Sequence, residues 1–477
     1  MSLLLGLDLG TSSAKGVLLS RAGEAVARAE AAYALDADGP GWAEIDPQVW
    51  WEAIVAVVSD LRRAVAEPPA AIGLSGQMHG VVLAAADGTP VRRAMLWPDV
   101  RATEELAAYR ELPAAIRARL GNPLSPGMAG PLLLWTARHE PETYARARWA
   151  LQAKDWLRLR LTGEVAAEPS DASATLLYDV QGDGWDGELL ERLDLDPRML
   201  APLVGSLEVA GELGAEAAAL GLPAGVPVAA GAGDTAAGIV GSGLPDGRCQ
   251  LTLGTGGQLV RPAGAPAPQP ERGTHTYRAA APHGWYAMAA ILNAGLALEW
   301  ARRSLAASWE ELYASGRRAP RASDPLFLPH LAGERTPYLD PGLRGAWTGL
   351  ALAHGREDLL RSALEGVALA LRDAVDALPG TVDEIRVAGG GSTHPAWRAL
   401  LADVLDRPLA AVDVAAVSAR GAALAGGVAA GLIEPGDVLG RLAPPARPVA
   451  EPSPGAAERY APRLARFRAT VRTLAQP

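Results

Sequence analysis

The chain of 477 residues contains a single cysteine, Cys249. That excludes a disulfide within the chain and any metal centre built on several thiolates. A reducing, cytoplasmic setting is the expectation. Lysine is nearly as scarce: of 44 basic side chains only Lys15 and Lys154 are lysines, the rest being arginine. Under so strong a bias a retained ammonium marks a place where a compact cation serves better than a planar fork, chance retention being the alternative. An excess of positive charge is missing as well. The formal net charge is −10 and the arginines are scattered among acids, which argues against nucleic acid as the main partner. No run of about 20 uncharged apolar residues is available to span a membrane. The N-terminal apolar run is broken at Asp8 with no basic segment before it, so no signal peptide is expected. What remains is an ordinary globular composition, 49% hydrophobic, too long for one core and sufficient for two or three domains.

Two stretches repeat one idea. Leu3–Leu9 reads as a buried strand, Gly10-Thr11-Ser12-Ser13 turns it, Ala14–Ser20 returns, and Glu24–Ala32 completes a three-stranded meander. Its first turn gathers backbone N–H groups, hydroxyls and Lys15, a combination that can cradle phosphate oxygens while Asp8 holds the accompanying magnesium. Read alone, this is also a plain hairpin turn. Far downstream, Cys249–Leu253, Gly254-Thr255-Gly256-Gly257 and Gln258–Arg261 give the same strand–turn–strand pattern. The duplication implies two similar domains, each offering one phosphate-binding hairpin to a shared cleft.

A third element lies in Pro227–Gly243. Val226–Ala230 is an apolar strand that breaks at Gly231-Ala232-Gly233, and Asp234 stands alone before a small-residue helix beginning Thr235-Ala236-Ala237-Gly238. Small neighbours let a ligand approach, and such a carboxylate can accept a proton from a substrate hydroxyl. Asp234 could equally be a helix N-cap. Further on, the strand in Ile385–Gly391 runs into Gly389, Gly390 and Gly391, where a base or ribose can lie on bare backbone; a tight β–α turn is the alternative. The next helix is capped by Ser392 or Thr393, with Pro395 in its first turn and Trp397, Leu400, Leu401, Val404 and Leu405 on its apolar face.

Candidates for the acceptor side come between. Ala71–Ser75 and Val81–Ala84 read as a hairpin around Gly76-Gln77-Met78-His79-Gly80, whose Gln77 and His79 suit sugar hydroxyls or a carbonyl. Trp97, Asp99 and Arg101 join an aromatic face to a carboxylate and a guanidinium, unless the last two form only a local ion pair. Pro47–Val65 is a helix capped by Asp46, and Asp155–Leu161 one closed by Gly163. Asp171-Ala172-Ser173 and Gly333-Glu334-Arg335-Thr336-Pro337 are polar loops to which the residues assign no chemistry. The Pro-rich Leu442–Pro454 leads to a basic helix expected to be a surface strap.

Together these elements resemble the FGGY carbohydrate kinases, most closely their xylulokinase branch, from Leu4 to about Gly431. The resemblance rests on Asp8-Leu9-Gly10-Thr11-Ser12, Gly76-Gln77-Met78-His79-Gly80, Leu151–Gly163, Ser170-Asp171-Ala172-Ser173, Gly231–Gly238, Gly254-Thr255-Gly256 and Phe327–Pro337. It implies an α/β chain of two ribonuclease-H-like, actin/hexokinase-type domains flanking a central cleft: residues 1–243 with the sugar site, first hairpin and catalytic Asp, and 244–477 with the second hairpin and adenosine site. By it Asp234 is the catalytic base, Asp8 and Asp234 organise Mg2+, and Met78 and His79 line the ketose site with Gln77, Trp97, Asp99, Arg101 and Thr235. Asp8, Gly10, Thr11, Ser12, Lys15, Gly254, Thr255, Gly256 and Gly389–Gly391 meet ATP. The implied reaction moves the ATP γ-phosphoryl to the 5-OH of D-xylulose. A different pentulose or polyol (ribulose, glycerol) is the rival within the class, a non-catalytic actin-type ATP-binding protein the rival outside it. No nucleic-acid or membrane partner is expected, and a homodimer is a permitted assembly. Thr235, Pro98 and Leu132 depart from the Asn, Asn and Lys usual in the branch, and the first two remove side-chain amides near the sugar.

Overall fold

The computed structural model describes residues 2–36, 39–280 and 284–475. Two seven-stranded sheets organise the chain. In the first, Leu3–Leu9 pairs antiparallel with Ser13–Ser20, which pairs antiparallel with Ala25–Ala32. On its other side Leu3–Leu9 runs parallel to Pro69–Gly76, which in turn runs parallel to Pro227–Ala229 and Ala232–Gly233. The second sheet repeats this plan. Arg248–Leu253 is antiparallel to Gly257–Ala263 and that to Trp285–Ile291, while Glu384–Ala388 and Leu409–Ala411 continue in parallel. The duplicated pattern in the sequence is thus a duplicated topology, a two-domain α/β fold. The repeat is not chemically symmetric. Asp8 and Lys15 face each other in the first hairpin, and Thr252 and Gln258 hold the corresponding register in the second.

Local signals explain most elements. Helix Pro47–Ala64 starts where Asp46 accepts a hydrogen bond from Gln48 N, and buries Trp50, Ile54, Val57, Val58 and Leu61. Helix Ala153–Thr162 ends at Gly163 with φ 79°, a left-handed position that only glycine takes freely. Three expectations need correction. Val82–Ala84 does not return onto Pro69–Gly76 but pairs with Trp149–Leu151, because Pro69–Gly76 already has strands on both sides. Helix Pro395–Leu405 is capped by His394, whose Nδ1 accepts from Ala396 N, not by Ser392 or Thr393. The C-terminal helix Ala456–Leu474 is no surface strap. Tyr460, Phe467 and Val471 enter the second core, and Arg463 is ion-paired to buried Glu365.

One helix ignores the order of the sequence. Val417–Ala429, late in the chain, lies on Leu3–Leu9, Pro69–Gly76 and helix Asp234–Ser242 of the first half. The contact is backbone on backbone: a Cβ on Gly73 would stand 1.7 Å from Ala422 O, and one on Gly421 1.8 Å from Ala237 O. The small residues there are required by this approach.

Candidate active site

The ends of the two central hairpins and the start of helix Asp234–Ser242 open onto one cavity of about 550 Å³. Thr11, Met78, His79, Trp97, Asp234 and Thr235 line it from the first half; Gly254, Thr255, Gly256, Gly257, Leu292 and Arg335 line it from the second.

Asp234 is the first residue of its helix, and Gly233 rather than Asp234 occupies the capping position, with no side-chain cap. The carboxylate is therefore free for chemistry, its one side-chain bond among the described residues being from Thr235 Oγ1 at 3.2 Å. Burial, and then the negative charge of Asp8, push its pKa up to about 7. Asp8 is itself raised by burial, against the opposing pull of Ser75 Oγ, which donates to its Oδ1 at 2.9 Å, and of Lys15. Asp8 is buried outside the cavity lining, but its charge reaches Asp234, and two carboxylates so close can serve as a proton acceptor or share a cation.

His79 has φ 78°, the left-handed region that a histidine enters at some cost. Its Nδ1–H donates to Ala174 O at 2.9 Å, which leaves Nε2 as a bare acceptor. Burial lowers its pKa to about 4, with the Arg335 charge contributing, so the ring is neutral at physiological pH. Rings from the second half stand behind it. Tyr277 packs at 5.8 Å and bonds His275 Nδ1 at 2.7 Å, while Tyr286 OH donates to Met78 Sδ at 3.5 Å. Trp97 Nε1 donates to Thr11 Oγ1 at 3.0 Å, tying this exposed indole to the first hairpin.

Other expected site residues lie elsewhere. Gln77 is buried, its Nε2 donating to Gly10 O at 3.3 Å and its N to Leu9 O at 2.8 Å. It braces the first hairpin and does not line the cavity. Asp99 and Arg101 face each other in a fork of bonds at 2.7 and 3.0 Å beneath Trp42. Asp99 also accepts from Ala43 N and Arg101 pairs with Glu44, so the local ion pair is what forms and neither reaches the cavity. Lys15 leans toward Glu30, with Nζ 3.8 Å away, outside the cavity lining. Gly10 and Ser12 sit in the first turn, where Gly10 O also accepts from Tyr33 OH. Gly389–Gly391 form a short turn at the solvent-facing end of Glu384–Ala388, beside the second hairpin and outside this cavity; a Cβ on Gly389 would meet Leu253 O at 2.4 Å.

Two features were given no role by the sequence. Arg335, within the loop treated as chemically silent, lines the cavity. Behind Gly233 lies a fully buried charge cluster: Lys154 Nζ is 2.7 Å from Asp155, 3.0 Å from Asp171 and 3.2 Å from Glu168. Burial pulls the Lys154 pKa down, but these three carboxylates outweigh it and hold the ammonium above its ordinary value. Glu168 Oε1 accepts from Ser170 Oγ at 2.7 Å, and Ser170 Oγ accepts from Gly233 N at 2.9 Å. The cluster thus fixes the backbone just ahead of Asp234. The scarcity of lysine had marked Lys154, but nothing local said which carboxylates would surround it.

The FGGY family of carbohydrate kinases matches over both halves, its N-terminal domain at residues 3–241 and its C-terminal domain at 249–430. A xylulose kinase of Escherichia coli (strain K12) is 36% identical over 412 residues, 85% of each chain. A glycerol kinase of Acidovorax ebreus (strain TPSY) is 34% identical, covering 93% of each. The crystal structure of a "xyloylose kinase" from Brucella ovis superposes with a TM-score of 0.92 at 37% identity over 99% of each chain.

Proposed function

The chain belongs to the FGGY family of carbohydrate kinases, and from that premise we propose that its acceptor is D-xylulose, phosphorylated by ATP to D-xylulose 5-phosphate. The observation that carries this reading is one cavity holding Asp234, Met78 and the neutral His79 opposite the Gly254–Gly256 hairpin. The xylulose kinases among its relatives support the choice of sugar.

In the reaction so read, the 5-hydroxyl oxygen attacks the γ-phosphorus and its proton passes to the Asp234 carboxylate. The bond from γ-phosphorus to the β,γ-bridging oxygen breaks, and its electron pair leaves with ADP. A base with a pKa near 7 suits work at neutral pH and contributes roughly 10²–10⁴. His79 Nε2 accepts a bond from a sugar hydroxyl, and Met78 packs the carbon skeleton. Amides and hydroxyls of the turns at Thr11 and Gly254–Gly256 meet phosphate oxygens, and Gly389–Gly391 lie where the nucleoside would extend. Residues 1–243 serve the acceptor and base, and 244–477 the nucleotide. Asp8 and Asp234 fit Mg2+: their mutual repulsion suits a divalent cation, which takes one or two protein carboxylates and completes its shell with phosphate oxygens. When bound, the ion neutralises phosphate charge.

A panel of D-xylulose, D-ribulose, glycerol and D-gluconate with coupled detection of ADP tests the assignment. D-Xylulose should give the highest kcat/KM. A rival acceptor ahead by more than about tenfold, roughly 1.4 kcal/mol of discrimination, overturns it.

A further inference from the structure

Phosphoryl transfer concentrates negative charge between two reactants, and fixed cations in the cleft are the groups that answer it. Lys15, the cation that the sequence offered for this, is turned toward Glu30. Among the residues lining the cavity, Arg335 is the one Arg or Lys. Other arginines near the site are spent on carboxylates: Arg101 on Asp99 and Glu44, and Arg158 on Asp155. Arg335 differs. Among the described residues its guanidinium has no carboxylate partner; it stands 5.9 Å over the Trp97 ring, and its charge also reaches His79. That distance is at the outer edge of cation–π range and leaves the five N–H donors unused.

The backbone beneath it is, by contrast, tightly held. Buried Glu334 accepts from Arg335 N at 2.9 Å and from Leu292 N at 2.7 Å, and its other oxygen meets His330 Nδ1 at 3.1 Å. Thr336 N donates to Ala290 O at 3.0 Å. The loop is thus stitched to the cavity wall on both sides of a guanidinium whose donors are free, and the planar fork matches phosphate oxygens.

We infer that Arg335 is a catalytic residue that grips the phosphoryl group in transit and then the phosphate of the sugar-phosphate product. The inference rests on the kinase reading above and adds a contact to its chemistry. As the acceptor oxygen bonds to γ-phosphorus and the bond to the ADP oxygen breaks, Arg335 donates to the non-bridging oxygens. It neither takes nor gives a proton.

The test compares affinity for the acceptor with affinity for its phosphate ester, by calorimetry with D-xylulose and D-xylulose 5-phosphate on the parent, Arg335→Ala and Arg335→Lys. Arg335 is exposed, so both variants should fold, and their melting temperatures will confirm it. Arg335→Ala should bind the phosphate ester roughly 10- to 100-fold more weakly, with D-xylulose affinity within about threefold. Its kcat should fall by a similar factor, with partial rescue by added guanidinium; Arg335→Lys should lie between. Equal loss of both ligands, or loss of neither, overturns the inference. If the panel selects a different acceptor, that acceptor and its own phosphate ester are titrated instead. The identity of the sugar and the role of Arg335 are then judged separately.

Discussion

Replacing Asp234 by asparagine should expose a conflict between activity and stability at one carboxylate. The side chain is nearly isosteric and its oxygen can still accept from Thr235 Oγ1, so the local fold should survive. As general base its removal should lower kcat by roughly 10² or more, with substrate affinities within a few fold. The stability effect has a definite sign. Folding raises the Asp234 pKa from 3.8 to about 7, so the native state binds the proton more tightly than the unfolded chain. The group is harmless below about pH 4 and costs stability increasingly as pH rises, until the cost is complete above about pH 7. The ceiling is roughly 4 kcal/mol over the whole window. Solvent in the open cavity screens it, so we expect Asp234→Asn to gain about 1–2 kcal/mol relative to the parent between pH 5 and pH 8. Thermal unfolding of both proteins at the two pH values, without ligands, measures this. Parent activity should meanwhile climb through an acidic limb near pH 7. A stability gain independent of pH would refute the burial argument, and near-normal kcat would remove the base.

Lys15→Arg should leave ATP kinetics within about twofold, since Lys15 faces Glu30 outside the cavity; a large rise in the KM for ATP would return it to the phosphate site. Thr235→Asn should lower the KM for D-xylulose by roughly 2- to 12-fold, because an amide beside the base supplies a hydrogen bond worth about 0.5–1.5 kcal/mol; an unchanged or higher KM in steady-state assays counts against it. Lys154→Ala should destabilise the protein by about 3–5 kcal/mol, because buried Asp171 and Glu168 lose their cation while Asp155 keeps Arg158. Denaturant unfolding reads that loss directly, and a change under about 1 kcal/mol would contradict it.

What was legible in the sequence was what short stretches encode. The hairpin around Gly10, its repeat around Gly254 and the capped helix after Asp46 depend on neighbours a few residues apart, and their bounds were readable to within a residue or two. Asp234 was legible as a lone carboxylate among glycines, though only the geometry showed Gly233 taking the cap. Pairings across long separations were not legible. Val82–Ala84 is an apolar run like a returning strand, and nothing in it names Trp149–Leu151 as partner. Asp99 and Arg101 have the residue types of a binding site, and their burial beneath Trp42 is a tertiary fact. Arg335 could have been flagged only by asking which arginine would finish at the cleft without an acid, a property of the whole fold.

The helix Val417–Ala429 bears on how this protein can be taken apart. By sequence, a cut after Gly243 looks clean. A fragment ending there would still lack the helix that covers Gly6 and Gly73, two positions with no side chain to shield the sheet beneath. Without the helix the strip would expose Leu4 and Ala71 beside the two bare glycines. Such a fragment should be insoluble or capture a partner, and the absent helix supplied as a peptide is the partner of right shape. Since Ser418 Oγ also donates to Asp234 O at 2.9 Å, the same late segment anchors the residue on which the chemistry turns. The polypeptide therefore has to be synthesised through Ala429 before its first half is finished.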